Sequence, residues 1–205
     1  MTGSFTSAHM GLDLLPEFIL QNYEVHEWKH ASAILKQDFP DEWADLCALL
    51  VEFRLQKSWI TVAGGRKSKV SECIDSFFYQ RGWVEKKFET EIVVDGSAKQ
   101  SPTHKVDCFK NRVAIEIEWN NKDPFFDRDL NNFRLLFELR AVSVGVIITR
   151  SDELQELFDG LGRGSSYGSS TTHMSRLLPR LQGGSGGGCP VLVFGIRKQL
   201  YQEDI

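Results

Sequence analysis

Between residues 27 and 55 apolar side chains return at every third or fourth position. Trp43, Leu46, Leu49, Leu50 and Phe53 fit a 3.6-residue period, which predicts helix for the stretch. Pro40 followed by Asp41 and Glu42 suits the first turn of a helix there. GGRKSK, residues 64–69, interrupts the pattern as a flexible basic connector. The helical period resumes over 70–83, with Val70, Ile74, Phe77 and Phe78 on one face and Gly82 as the stop. Strand-like stretches follow at 88–95 and 104–109, around a Gly-Ser turn, and again at 112–119. Residues 125–142 read as a long amphipathic helix leading into 143–150, a buried strand rich in β-branched residues. SDELQELFD is helical, GLGRGSSYGSSTTHM is polar and glycine-rich, and SRLLPRLQ is a short helix. GGSGGG is a loop before the last buried strand, 189–196. The order predicts an α/β domain, a central mixed β-sheet flanked by α-helices. Residues 1–15 are expected to form a flexible tail and 16–205 a single domain.

Composition narrows the class without choosing a function. The 205 residues are 41% hydrophobic and 25% charged, as in ordinary globular proteins. No apolar run approaches the roughly 20 residues that cross a bilayer, and the start has no basic segment leading into an apolar one. A cytoplasmic protein with no membrane contact is therefore expected. The four cysteines are widely spaced without a C-x-x-C pair, which disfavours a zinc knuckle or a disulfide framework. A net charge of −4 argues against a generally basic nucleic-acid binder but leaves room for one local basic cleft.

The chemistry concentrates in KVDCFKNRVAIEIEWNNKD, residues 105–123. Glu116 and Glu118 are two apart on a strand and so point to the same face, with Ile115 and Ile117 on the other. Like charges side by side need a cation between them. If the strand carrying Asp107 pairs with the next, three oxygen-bearing groups can converge on one point. Oxygen ligands without His or Cys suit Mg²⁺ rather than zinc, and a divalent ion held this way supports phosphodiester hydrolysis. An E-x-E strand is also the pattern of a solvated edge with salt-bridge partners.

An Asp followed after eight residues by E-x-E, then Asn-Asn and a long helix, resembles the PD-(D/E)xK nuclease core. From NYEVHEWKHASAIL near residue 23 to CPVLVFGI near 196, the chain is similar to the BglII/BstYI group of type II restriction endonucleases. That resemblance implies a Mg²⁺-dependent homodimeric enzyme cutting both strands of a short palindromic DNA site, with GATC-centred sites common among relatives. It implies that Asp107 and Glu116 bind the metal together with the backbone carbonyl of Ile117. Glu118 falls where most of the superfamily has Lys and BglII-like enzymes have Gln; BamHI is similar in having Glu there. A carboxylate in that place would bind a second ion or orient and deprotonate water. BamHI-like sites also take an acid from a preceding helix, and Glu72 is the candidate.

Asn120, Asn121 and Lys122 follow the catalytic strand where the family touches bases or phosphates. Arg163, Ser165, Ser166 and Tyr167, in GRGSSYGSS, match its recognition loop. Arg66, Lys67, Lys69 and Arg128 join Lys122 as expected phosphate contacts. His104 and His173 have no partner at ligand spacing. Two other readings stay open: a DNA-binding module with silent carboxylates, and a nonspecific repair-type nuclease.

Overall fold

The computed structural model describes residues 11–62 and 67–204. Most of the expected tail, residues 1–10, and Arg66 among the expected phosphate contacts lie outside the described residues. Leu12 and Leu15, placed in that tail by the sequence, are buried in the core.

The elements run α1 (Glu17–Asn22), β1 (Tyr23–Trp28), α2 (Ala31–Asp38), α3 (Pro40–Glu52), β2 (Leu55–Gln56), α4 (Lys57–Thr61) and α5 (Lys69–Tyr79). They continue with β3 (Val84–Val94), β4 (Ser97–Lys110), β5 (Val113–Ile117), α6 (Phe125–Glu138), β6 (Val144–Arg150), α7 (Leu154–Gly160), α8 (Met174–Gln182), β7 (Val191–Ile196) and β8 (Tyr201–Gln202). Six strands form one sheet in the order β1-β7-β6-β5-β4-β3, and β2 pairs with β8 apart from it. The β5-β6 and β6-β7 pairs are parallel and the flanking pairs antiparallel. Parallel neighbours need a crossover: α6 joins β5 to β6, and α7 and α8 join β6 to β7.

Alternation along the central strands sends side chains into two cores. Val113, Ile115 and Ile117 pack with Val146, Ile148, Leu192 and Phe194 and with α2, α3, α5 and α7. Ala114 packs with Ile147, Val191 and Val193 against Phe126, Leu130, Phe133 and Leu136 of α6 and Leu177 of α8. Gly145 of β6 is required by that second layer, because a Cβ there would lie 2.4 Å from the Phe133 ring. Pro40 opens α3 as expected, at its first position.

The helix expected over 27–55 begins later than its pattern suggested. Residues 23–28 instead form β1, laid antiparallel on β7 from Tyr23 opposite Ile196 to Trp28 opposite Val191. Lys29 and His30 then adopt left-handed backbone (φ 58° and 56°) and turn the chain into α2. The strand is stabilised by a ladder to a segment some 165 residues away, which no local periodicity encodes.

Candidate active site

The strand pair β4-β5 is in register from Lys110 opposite Val113 to Cys108 opposite Ile115. Across from it, β3 and β4 slip between Val84 and Lys86, a bulge that falls at Asp107 and Cys108. The ladder therefore opens at Asp107, and a side chain takes over its next bond. Asp107 Oδ2 accepts the Ile117 N–H at 3.0 Å, and the Asp107 N–H donates to Glu116 Oε2 at 3.4 Å. Asp107 and Glu116, expected together, are together. Glu116 is buried to 1% exposure, and its Oε1 has no hydrogen-bond partner among the described residues. A buried carboxylate oxygen left without a donor is costly unless a cation comes to it.

Glu118 lies in the same layer but faces other partners. Arg128, from the first turn of α6, donates from Nη2 to Glu118 Oε1 at 3.1 Å, and Asn121 donates from Nδ2 to Oε2 at 2.8 Å. The same guanidinium reaches Asp129 Oδ1, at 2.8 Å from Nε and 2.7 Å from Nη2, and lies 4.2 Å over the Phe125 ring. Arg128 is thus the cation beside Glu118. With both Glu118 oxygens engaged, the three carboxylates do not converge on one point. Among the described residues no three His, Cys, Asp or Glu side chains gather as a metal cage.

Burial dominates the electrostatics. It pushes Asp107 up from 3.8 to about 6, against the Ile117 N–H bond and with Asp75 adding to the rise. Burial, then the nearby Asp129 charge, push Glu118 up to about 9. Glu116 is driven well above the ordinary carboxylate range by burial and by Asp129 and Asp107. This concentration of negative charge, held by fixed strands, favours a cation or a proton.

A cleft of about 300 Å³ opens here, lined by Lys67, Asp75, Tyr79, Asp107, Ile117, Glu118, Asn121 and Arg128 among others. Helix α5 enters through Asp75 rather than Glu72. Glu72 is exposed and paired with Lys69 at 2.7 Å, whereas Asp75 is buried, ion-paired with Lys67 and within 3.5 Å of the Cys108 thiol. The Tyr79 hydroxyl donates to the Asp107 carbonyl at 3.1 Å. The signal for Asp75 was present: it sits between Ile74 and Phe78 on the buried stripe of α5, where a carboxylate needs a reason to be. Asp129 carried the same signal, lying with Phe126, Leu130 and Phe133 on the buried stripe of α6, whereas the role of Arg128 carried none, since a basic residue near a helix start is ordinary surface composition.

The two expected DNA-reading segments are joined. Asn121 and Thr172 exchange backbone and hydroxyl bonds (Thr172 N–H to Asn121 O, 2.8 Å; Asn121 N–H to Thr172 Oγ1, 3.2 Å), and Lys122 bridges Thr171. Asn120 sits at φ 59° with its Oδ1 buried and unpartnered. Ser165 and Ser166 are exposed on a 3-10 turn, Gly164–Tyr167, beside the half-buried Arg163. Tyr167 is not available as a side chain: it is 5% exposed and stacked on Phe158 at 4.0 Å. Buried Arg150 holds this turn by donating to the Tyr167 carbonyl at 2.7 Å and the Thr171 hydroxyl at 3.2 Å. His173 is likewise structural, 2.7 Å from Asp152, whose carboxylate accepts the Ser175 N–H at the start of α8.

No curated protein matches the chain. The sequence profile described as restriction endonuclease BglII/BglIII (Endonuc-BglII) matches residues 23–196, from the first residue of β1 to the last of β7.

Proposed function

The chain belongs to the restriction endonuclease BglII/BglIII family, and from that premise we propose that it cuts both strands of a short palindromic DNA site as a Mg²⁺-dependent homodimer. Family membership makes it a DNA-binding nuclease, a hydrolase of the phosphodiester backbone, and no described helix is long and apolar enough to cross a membrane. The observation that carries the finer reading is the opened strand pair. There Asp107 and Ile117 line a polar cleft, and Glu116, which accepts the Asp107 N–H at Oε2, keeps Oε1 buried and unpartnered among the described residues.

These residues fit a divalent ion. The donors are all oxygen, as Mg²⁺ prefers, and the orphaned Glu116 Oε1 is a buried acceptor in want of a cation. Asp107, Glu116 and the Ile117 carbonyl would hold it. When bound, the ion supplies Lewis-acid polarisation of the phosphate and a more acidic water. The rest belongs to the chain. Glu118 is fixed by Arg128 and Asn121. Burial and Asp129 push it up to about 9 with no ion bound; beside a bound divalent ion it would be ionised and so able to accept the proton of the attacking water at a carboxylate oxygen. Water's oxygen forms the new bond to phosphorus as the bond to the 3′ oxygen breaks, and the leaving oxygen takes its proton from solvent. Asn120, Asn121, Lys122, Arg163, Ser165 and Ser166 carry DNA contacts in this reading, with the Arg150-held turn presenting the serines. Symmetric cutting of a palindrome calls for a twofold dimer. A GATC-centred target and a prokaryotic setting rest on the sequence resemblance alone.

The test is incubation with a long duplex of known sequence in Mg²⁺, in Ca²⁺ and in EDTA. Discrete fragments with Mg²⁺ alone, whose sequenced ends share one palindrome, are expected. A smear would replace site specificity with nonspecific cleavage. Intact but retarded DNA would replace the enzyme with a binding module.

A further inference from the structure

The cleft that this nuclease reading assigns to DNA is strongly acidic. Asp75, Asp107, Glu116, Glu118 and Asp129 crowd around it, yet its substrate is a polyanion. A phosphate can settle there only if some fixed cation meets it. Among the described residues two cations line the cleft, Lys67 and Arg128. Lys67 is half exposed, a single ammonium at the end of a flexible stem that is paired with Asp75. Arg128 differs in every respect that matters for recognising a phosphate. Its side chain is 28% exposed and projects from α6 beside the deeply seated Phe126 and Leu130. Asp129, wholly buried, grips Nε and Nη2, and Phe125 supports the guanidinium plane. Nη1 is engaged by none of the described residues. The Nη2 bond to Glu118 is the longer of its two carboxylate contacts, at 3.1 Å against 2.7 Å to Asp129.

We propose that Arg128 is the catalytic cation that grips the scissile phosphate, with Asp129 as its positioning residue. In the free protein Nη2 rests on Glu118. When DNA enters, a non-bridging phosphate oxygen takes the Nη1 edge and shares Nη2, while Asp129 keeps Nε in place. The guanidinium is planar and always charged, so it meets the phosphate in a fork without reorganising as charge develops. Releasing part of the Arg128 contact also frees one Glu118 oxygen for water at the moment the substrate arrives. This arrangement gives a reason for a wholly buried carboxylate, Asp129, beside two other acids: its Oδ1 holds the guanidinium in place.

The experiment is single-turnover cleavage with Mg²⁺ of a short duplex carrying the site that the wild-type digest reveals. It is run with an unmodified phosphate and with each phosphorothioate diastereomer at the scissile position. Wild type is compared with Arg128→Gln, Arg128→Lys and Asp129→Asn, each checked for native circular dichroism and for duplex affinity in Ca²⁺. Arg128→Gln is expected to cut roughly 100-fold more slowly or worse, the usual consequence of removing one preorganised donor from a transition state, with affinity little changed. Arg128→Lys should recover part of the rate, and Asp129→Asn should lose rate without losing affinity. One diastereomer should slow the wild type more than it slows Arg128→Gln, because the contact to that oxygen is already gone. A purely structural counter-ion for Glu118 would leave both thio effects as they are in wild type, and that outcome overturns the proposal, as does Arg128→Gln cutting at the wild-type rate. If Arg128→Gln does not fold, Arg128→Lys carries the same thio comparison. A wild-type protein that cuts nothing overturns the nuclease reading and this proposal together, whereas a cutting wild type with unaltered variants overturns this proposal alone.

Discussion

Asp107 makes the energetics of the site measurable without any DNA. Its carboxyl is pushed by burial from 3.8 to about 6, so at neutral pH the folded chain holds an ionised acid in a place that disfavours the charge. A rise of about two units corresponds to about 3 kcal/mol, at roughly 1.4 kcal/mol per unit. The sign follows from proton counting. Between the two values the folded state binds more proton than the unfolded state, so stability falls as pH rises. The contribution is fully present below 3.8 and is lost as pH climbs through about 6. Asp107→Asn removes the titration while its amide oxygen can still accept the Ile117 N–H. Urea unfolding in EDTA, followed by the fluorescence of the five tryptophans, gives stability at each pH. From pH 4 to pH 8 the wild type should lose about 2 kcal/mol more than Asp107→Asn. Comparing slopes cancels most of the contribution of the other raised acids, Glu116, Glu118 and Asp75, which titrate in both proteins. The part of the Glu116 rise that comes from the Asp107 charge is lost in the variant and adds to the wild-type loss in the same direction. Equal slopes in the two proteins would refute the argument that burial sets the charge state of this carboxyl. So would a wild type stabilised by rising pH relative to the variant.

Three further outcomes are expected. Asp107→Ala and Glu116→Ala should abolish Mg²⁺-dependent cutting while leaving duplex binding in a gel-shift assay; cutting that persists in either would remove the carboxylates from the mechanism. Gly145→Ala should cost about 1–3 kcal/mol in urea unfolding, since its Cβ would sit 2.4 Å from Phe133 in a packed layer, and an unchanged midpoint would mean that α6 can lift from the sheet. Asn121→Ala frees one Glu118 oxygen and leaves the backbone link to Thr172; besides the affinity lost with one DNA contact, the single-turnover rate at saturating protein should fall about tenfold or more, as for loss of a general-base positioning bond, and a loss confined to affinity would make Asn121 a DNA-contact residue only.

The repeating patterns of the chain were informative wherever local order and burial coincide. The strand 112–119 and its alternation could be read directly, because β5 is buried on both faces and a two-residue period has one interpretation there. So could α5, α6 and the β-branched run of β6, whose apolar spacing is the imprint of a core face. The pairing of Asp107 with Glu116 was legible for the same reason: adjacent strands in a hairpin fix which residues face each other. The strand β1 was not legible, since its partner β7 is distant and its residues carry no strong alternation of their own.

What the sequence by itself determined is the set of elements with strong periods, the acids carried by β4 and β5, and the family to which the chain belongs. What only the tertiary structure decided is which of those acids act together. The bulge at Asp107 opens the strand pair, α6 brings Arg128 and Asp129 against Glu118, and α5 offers Asp75 while turning Glu72 to solvent. Each depends on the angle and depth at which a helix or strand meets its neighbour. Those are set by the packing of Phe126, Leu130 and Phe133 on the sheet, interactions between residues far apart in the chain that no local pattern of side chains can encode.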